Sequence, residues 1–199
     1  AVGLNALTAN TTGSYNIAVG SYALDASTTT SSNTAIGYES LSANTTGIKN
    51  VGLGNNTLAA TTTGQRNTAI GYNALATNTT GADNTAVGEA ALNSNTTASN
   101  NTALGFRTLL SNTTGASNTA VGSNALVANT GASNNTAVGY NALDAVTTTS
   151  SNTAVGYNAL GANTAAENTA VGVSALEDNT TGTRNTAMGV DALQECTTG

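Results

Sequence analysis

Groups able to do chemistry are scarce in this chain of 199 residues, and their spacing argues against a catalytic centre. There is no His, so neither a Ser-His-Asp nor a Cys-His relay can form, and zinc lacks its commonest ligand. Cys196 is the single cysteine, which excludes an intrachain disulfide. Glu177 and Asp178 are adjacent carboxylates, and neighbours on an extended chain point apart, so they read as a solvated corner rather than an acid–base pair. Calcium-binding solenoids place an Asp in every turn, and no such column exists here. With 4 basic against 10 acidic residues, the net charge of −6 leaves no electrostatic footprint for nucleic acid. The expectation is a protein that is not an enzyme and uses no cofactor or metal. Two patterns could still meet a ligand. N-T-T at Asn10, Asn44, Asn78, Asn95, Asn112 and Asn179 matches the N-glycosylation sequon, although the repeat alone accounts for it. Tyr38, Tyr72, Phe106, Tyr140 and Tyr157 recur at one position of the repeat, a candidate contact stripe for glycans or mineral surfaces.

What must position these residues is a repeat of 17 residues, N-T-A-V-G-Y-N-A-L-x-x-N-T-T-G-x-x, which begins at Asn16 and restarts through Asn185, with a partial copy before Asn16. One copy, Asn152–Glu167, has 16 residues and has lost one from its N-T-T-G turn. Twelve copies fill residues 1–199, so the chain reads as a single repeat domain in which each unit contacts its neighbours. No apolar run approaches the ~20 residues of a membrane span.

Counting from the Asn as column 1, column 5 is always Gly, column 9 always Leu and column 13 always Thr, while column 4 is aliphatic or Met. Columns 3 and 8 are nearly always Ala. Charges occur only at columns 6–7, 10–11 and the residues just before the next Asn. Ionised groups are costly to bury, so these are three solvated corners, and the charge-free columns are buried or in tight backbone contact. Gly at the corners, Thr at column 2 and Val or Ile at column 4 favour extended segments joined by turns, and no 3.6-residue stripe persists. The fold class is therefore all-β: a parallel β-solenoid, or β-roll, of about twelve coils of 17 residues, with columns 4 and 9 facing inward. Stacked Asn at column 1 and Thr at column 13 are expected to form side-chain ladders. The paired apolar columns 3–4 and 8–9 leave two readings open. On straight strands one member of each pair faces out and needs a second surface, for which another copy of the chain is the simplest candidate; at bends both turn inward.

The segment N-T-A-V-G, at Asn84–Gly88, Asn118–Gly122, Asn135–Gly139 and Asn152–Gly156, resembles the short head repeats of trimeric autotransporter adhesins. The longer phrase also looks like repeats of phage tail-fibre and bacterial surface proteins. The resemblance implies a left-handed β-roll assembled as a homotrimer, placed outside the cell, on its surface or on a virion, and engaging surfaces. The phrase here is longer than the usual adhesin-head repeat, and the segment carries no coiled-coil stalk or chaperone domain. The expected function is a structural or adhesive extracellular fibre whose partner is chiefly itself. Ala1 stands at column 3 and Gly199 at column 15, so four residues would restore the register between two segments, as expected of a piece of a longer fibre. The alternative is an ice-binding solenoid built on Thr ladders. Against it, the Thr pairs at columns 13 and 14 are adjacent, so one of each pair faces away.

Overall fold

The computed structural model describes residues 1–198; Gly199, the last column-15 position, lies outside the described residues. Each coil from Asn16 onward holds one strand of three residues, from β1 (Ile17–Val19) and β2 (Thr34–Ile36) to β11 (Thr186–Met188), and the partial first coil adds a single bridge from Val2 to Val19. The strands stack in chain order into one parallel sheet of 11, and no helix is present among the described residues. Columns pair with themselves: Thr68 lies against Thr85, Ala69 against Ala86 and Ile70 against Val87. At the strand spacing of about 4.8 Å the stack is roughly 48 Å long. The coil that has lost a residue leaves the register intact, since β9 (Thr153–Val155) still meets β10 (Thr169–Val171) residue for residue. The deficit is taken up in the turn, where Asn163 Nδ2 donates to the Ala165 carbonyl at 2.7 Å.

Alternation along the three-residue strand decides which apolar column is interior. Column 3 faces in, with Ala35, Ala69, Ala103 and Ala137 fully buried. Column 4 faces out: Val19, Ile36, Ile70 and Val155 are 36–40% exposed. The expectation that column 4 lines the core is therefore corrected, because a strand with Ala inside must present its next residue to the opposite face. Column 9 does line the core, with Leu24 through Leu176 at 0% exposure.

At columns 8 and 9 both side chains turn inward, as Ala74 and Leu75 do. The backbone permits this by leaving the extended region. Column 7 has φ of 52–61° and column 9 has φ of 51–56°, so two left-handed residues flank column 8 and curl the chain. Left-handed backbone costs an L-residue roughly 1–2 kcal/mol. Hydrogen bonds to adjacent coils hold it there: Leu92 N–H donates to the Thr108 carbonyl at 3.0 Å, and Leu109 N–H to Ala125 at 3.0 Å.

Buried amides close the coil. Asn101 Nδ2 donates to the Gly115 carbonyl at 2.9 Å, and its Oδ1 accepts the Asn118 backbone N–H at 2.9 Å. The column 1 ladder thus runs mainly from side chain to backbone. Amide-to-amide contacts are added at some steps, as from Asn118 Nδ2 to Asn101 Oδ1 at 3.2 Å. A second ladder at column 12 escapes the sequence reading: Asn95 donates to Asn78, Asn112 to Asn95 and Asn129 to Asn112, at 2.8–2.9 Å. Asn112 Nδ2 also reaches the Gly115 carbonyl, so that one oxygen receives two amides. Column 13 hydroxyls donate to the next coil's carbonyl, as Thr79 Oγ1 does to Thr96 at 2.9 Å. Columns 13 and 14 are surface all the same, as exposed Thr45 and Thr46 show, so freedom from charge does not mean burial for every column.

Candidate functional site

Three surfaces carry the groups able to meet a ligand. The first is the ring stripe. Column 5 Gly, at φ of 121–143°, turns the chain off the sheet and sets column 6 on a corner. Tyr38, Tyr72, Phe106, Tyr140 and Tyr157 stand there 42–53% exposed. Tyr140 and Tyr157, on successive coils, stack with centroids 5.5 Å apart and planes 11° from parallel. Tyr22, from column 7, meets Tyr38 edge-on at 6.0 Å. The Arg107 guanidinium lies 5.0 Å from the centre of the Phe106 ring. Hydrogen bonding to Glu39, and that carboxylate's charge, push the Tyr38 phenol up from its ordinary value. All five residues therefore line up on one corner of the rod.

The second surface is the outer face of the sheet, where column 2 and column 4 side chains point the same way. It presents two parallel rows, Thr68, Thr85, Thr102 and onward beside Ile70, Val87, Leu104 and onward.

The third is a groove beside columns 10 and 11, a cavity of about 320 Å³ lined by Asn141, Asp144, Asn158, Gly161, Glu177 and Asp178. Gly161 separates Asp144 from Glu177 and opens the space. Glu177 accepts from Asn158 Nδ2 and Gln194 Nε2, both at 3.1 Å. The Ser174 hydroxyl first, then those two amides, hold the Glu177 carboxyl below its usual range. Burial pushes the Asp144 carboxyl up, and the Glu177 charge adds to it. Ionised Asp144 therefore opposes folding. Its folded value lies above its unfolded one, so the stability it lends is complete below the unfolded value and is lost as pH rises through the folded value. Asp144→Asn is expected to raise the thermal midpoint at about pH 7 by a degree or two and to leave it unchanged near pH 3. Thermal melts at the two pH values check it, and an equal rise at both contradicts it.

No three His, Cys, Asp or Glu side chains gather to hold a metal among the described residues. Glu177 and Asp178 both line the groove, but the exposed Asp178 accepts nothing from the partners that hold Glu177. Cys196 is partly buried against the end of the core. Among the sequon residues, Asn44, Asn78, Asn95, Asn112 and Asn179 are fully buried. Their Nδ2 groups all donate to backbone carbonyls, so attaching a glycan there would dismantle the ladder that closes the coil. Across the rod, Arg66 grips Asp83 of the next coil with two bonds at 2.6 and 2.8 Å, on a fully solvated corner where such a pair adds little. No helix of the described residues is long and apolar enough to cross a membrane. Comparison with protein-family models, with curated proteins and with solved structures finds no significant match to this chain.

Proposed function

We propose that this chain is the rod of an extracellular fibre, at a cell surface or on a virion, and that copies pack side by side through the outer face of the sheet. The observation that carries the reading is the row of outward column 4 aliphatics. Val19, Ile36, Ile70 and Val155 stay 36–40% exposed while the Ala and Leu columns of the same coils are buried. A continuous apolar stripe of this kind marks an interaction surface. Likeness to trimeric adhesin heads supports three copies around a common axis, each covering its neighbour's stripe. The role is mechanical and adhesive, with function spread along the repeat and no reaction catalysed.

A second reading, ice binding, is supported by the Thr row of column 2, which lies beside the aliphatic row on the same face. The two readings separate in solution. Sedimentation equilibrium of the fibre rod is expected to return three times the monomer mass of 19.4 kDa, with side-by-side rods in electron micrographs. Thermal hysteresis is expected to be absent. A monomer that shows hysteresis would replace the fibre by the ice-binding reading, and a monomer without it would remove both.

A further inference from the structure

Four of the five column 6 rings fall on alternate coils. Tyr38, Tyr72, Phe106 and Tyr140 are each 34 residues apart, and the coils between them carry Asn55, Glu89 and Ser123 at the same column. Two strand spacings set these rings about 9.5 Å apart along a straight line, roughly 29 Å from first to last. From Tyr38 to Tyr140 the rings alternate with polar groups, a doubling that the core does not require, and Tyr157 ends the alternation by stacking on Tyr140 one coil later.

We propose that the ring stripe binds an extended, uncharged β-1,4-linked glucan laid along the rod axis. In such a chain each sugar is turned over relative to the last, so the same face returns once per disaccharide. The length of one extended disaccharide matches the ring interval of two coils. Every second sugar then stacks its axial C–H face on a ring, and the sugars between lie over Asn55, Glu89 and Ser123. Charge agrees with this occupant. From Tyr38 to Asn158, columns 6 and 7 carry only Glu39, Glu89 and Arg107 as ionised groups, which gives no field to attract a polyanion or polycation. The rings are 42–53% exposed, which suits an unsubstituted chain, with one face of Tyr140 packed on Tyr157 and one face of Phe106 under the Arg107 guanidinium. Four rings span three disaccharide intervals, so occupancy of the whole line needs seven sugars and a hexasaccharide engages three rings.

The test is calorimetric titration of the full chain with cellobiose, cellotetraose and cellohexaose. Affinity is expected to rise at each step, by about ten-fold for each further ring engaged. Maltohexaose, whose α-1,4 links curl the chain, is expected to bind at least ten-fold more weakly than cellohexaose, and a hexauronate likewise. Phe106→Ala and Tyr72→Ala are each expected to lose about ten-fold for cellohexaose, with far-UV spectra unchanged. The deciding variant pairs Tyr72→Ala with Glu89→Tyr, which keeps the number of rings and spoils their interval. It is expected to bind no better than Tyr72→Ala alone. Recovery of wild-type affinity by that pair overturns the proposal, as does failure of cellohexaose to bind the wild type, or preference for chitohexaose over it. The stripe and the outer sheet face are different columns, so glucan binding and lateral assembly are lost by different variants and fail separately.

Discussion

Leu126→Asp is expected to abolish cooperative folding of the rod's centre, whereas Val121→Asp, five residues earlier, is expected to leave the fold intact. Leu126 is 0% exposed and sits between the equally buried Leu109 and Leu143 of the adjoining coils. Removing a buried Leu side chain costs about 2–5 kcal/mol, and a carboxylate in its place adds an unpaired buried charge. Each coil contacts only its neighbours, so failure at one coil separates the stack into two short halves. The far-UV spectrum should lose most of its β signal, and the melt should lose its single transition. Val121 ends a strand with its side chain on the outer face, where an ionised group stays solvated. Its replacement should keep the spectrum and reduce sedimenting mass towards the monomer. A Val121→Asp protein that unfolds would mean that column 4 is interior after all.

The difference between those residues marks where the sequence stops being legible. Period, strand order and solvated corners can be read from repetition and from the positions of charge, because stacked like charges and buried ions are both costly. All the charged side chains indeed keep some exposure. The outward direction of column 4 cannot be read in the same way. A strand of three residues offers Ala or Val to the core, and size favours Val, but the thin coil has room only for Ala. At column 3 the exception, Gly52, sits where an added Cβ would crowd Thr57 Oγ1 at 2.8 Å, so the larger column 8 residue is matched by a smaller one opposite. The curl at columns 7–9 was half signalled. Asn at column 7, as at Asn73, Asn124 and Asn141, is a residue that tolerates left-handed backbone, whereas an invariant Leu at φ of 51–56° gives no such notice.

Polar closure was legible at column 1 and missed at column 12, although Asn occupies column 12 in eight of twelve copies. The exceptions show what the ladder contributes. Where Val146 interrupts it, Thr149 Oγ1 and Asn152 Nδ2 are buried without partners. For the site, the column of the rings was plain from spacing. The stacked Tyr140–Tyr157 pair and the groove at Gly161 depend on side-chain directions at corners that the repeat does not encode.

Gly105→Ala is expected to be as damaging as a core charge, for a reason that lies in the backbone alone. Gly105 has φ of +136°, outside the range that L-residues adopt, and its position makes the corner between the strand and column 6. An added Cβ would come within 2.8 Å of both the carbonyl carbon and oxygen of Gly122, and within 2.9 Å of Thr108 Oγ1. Neither backbone atom can rotate away, because the Gly122 N–H donates to the Leu104 carbonyl at 2.8 Å. Relief therefore requires the two coils to separate at this corner, which breaks the ladder on both sides of the methyl group. The same crowding recurs from coil to coil, which explains a Gly at column 5 in all twelve copies. A loss of about 3 kcal/mol or more is expected, from backbone strain and lost inter-coil bonds together. Gly131 supplies the control: its φ is not in the positive region, and a Cβ there would meet only Thr114 Oγ1 at 3.4 Å. Gly131→Ala is expected to be neutral or to stabilise by a few tenths of a kcal/mol, because it only narrows the unfolded ensemble. Urea denaturation of the two variants beside the parent gives the comparison. Equal midpoints for Gly105→Ala and Gly131→Ala would show that close stacking of the column 5 corners is not what fixes the coil spacing.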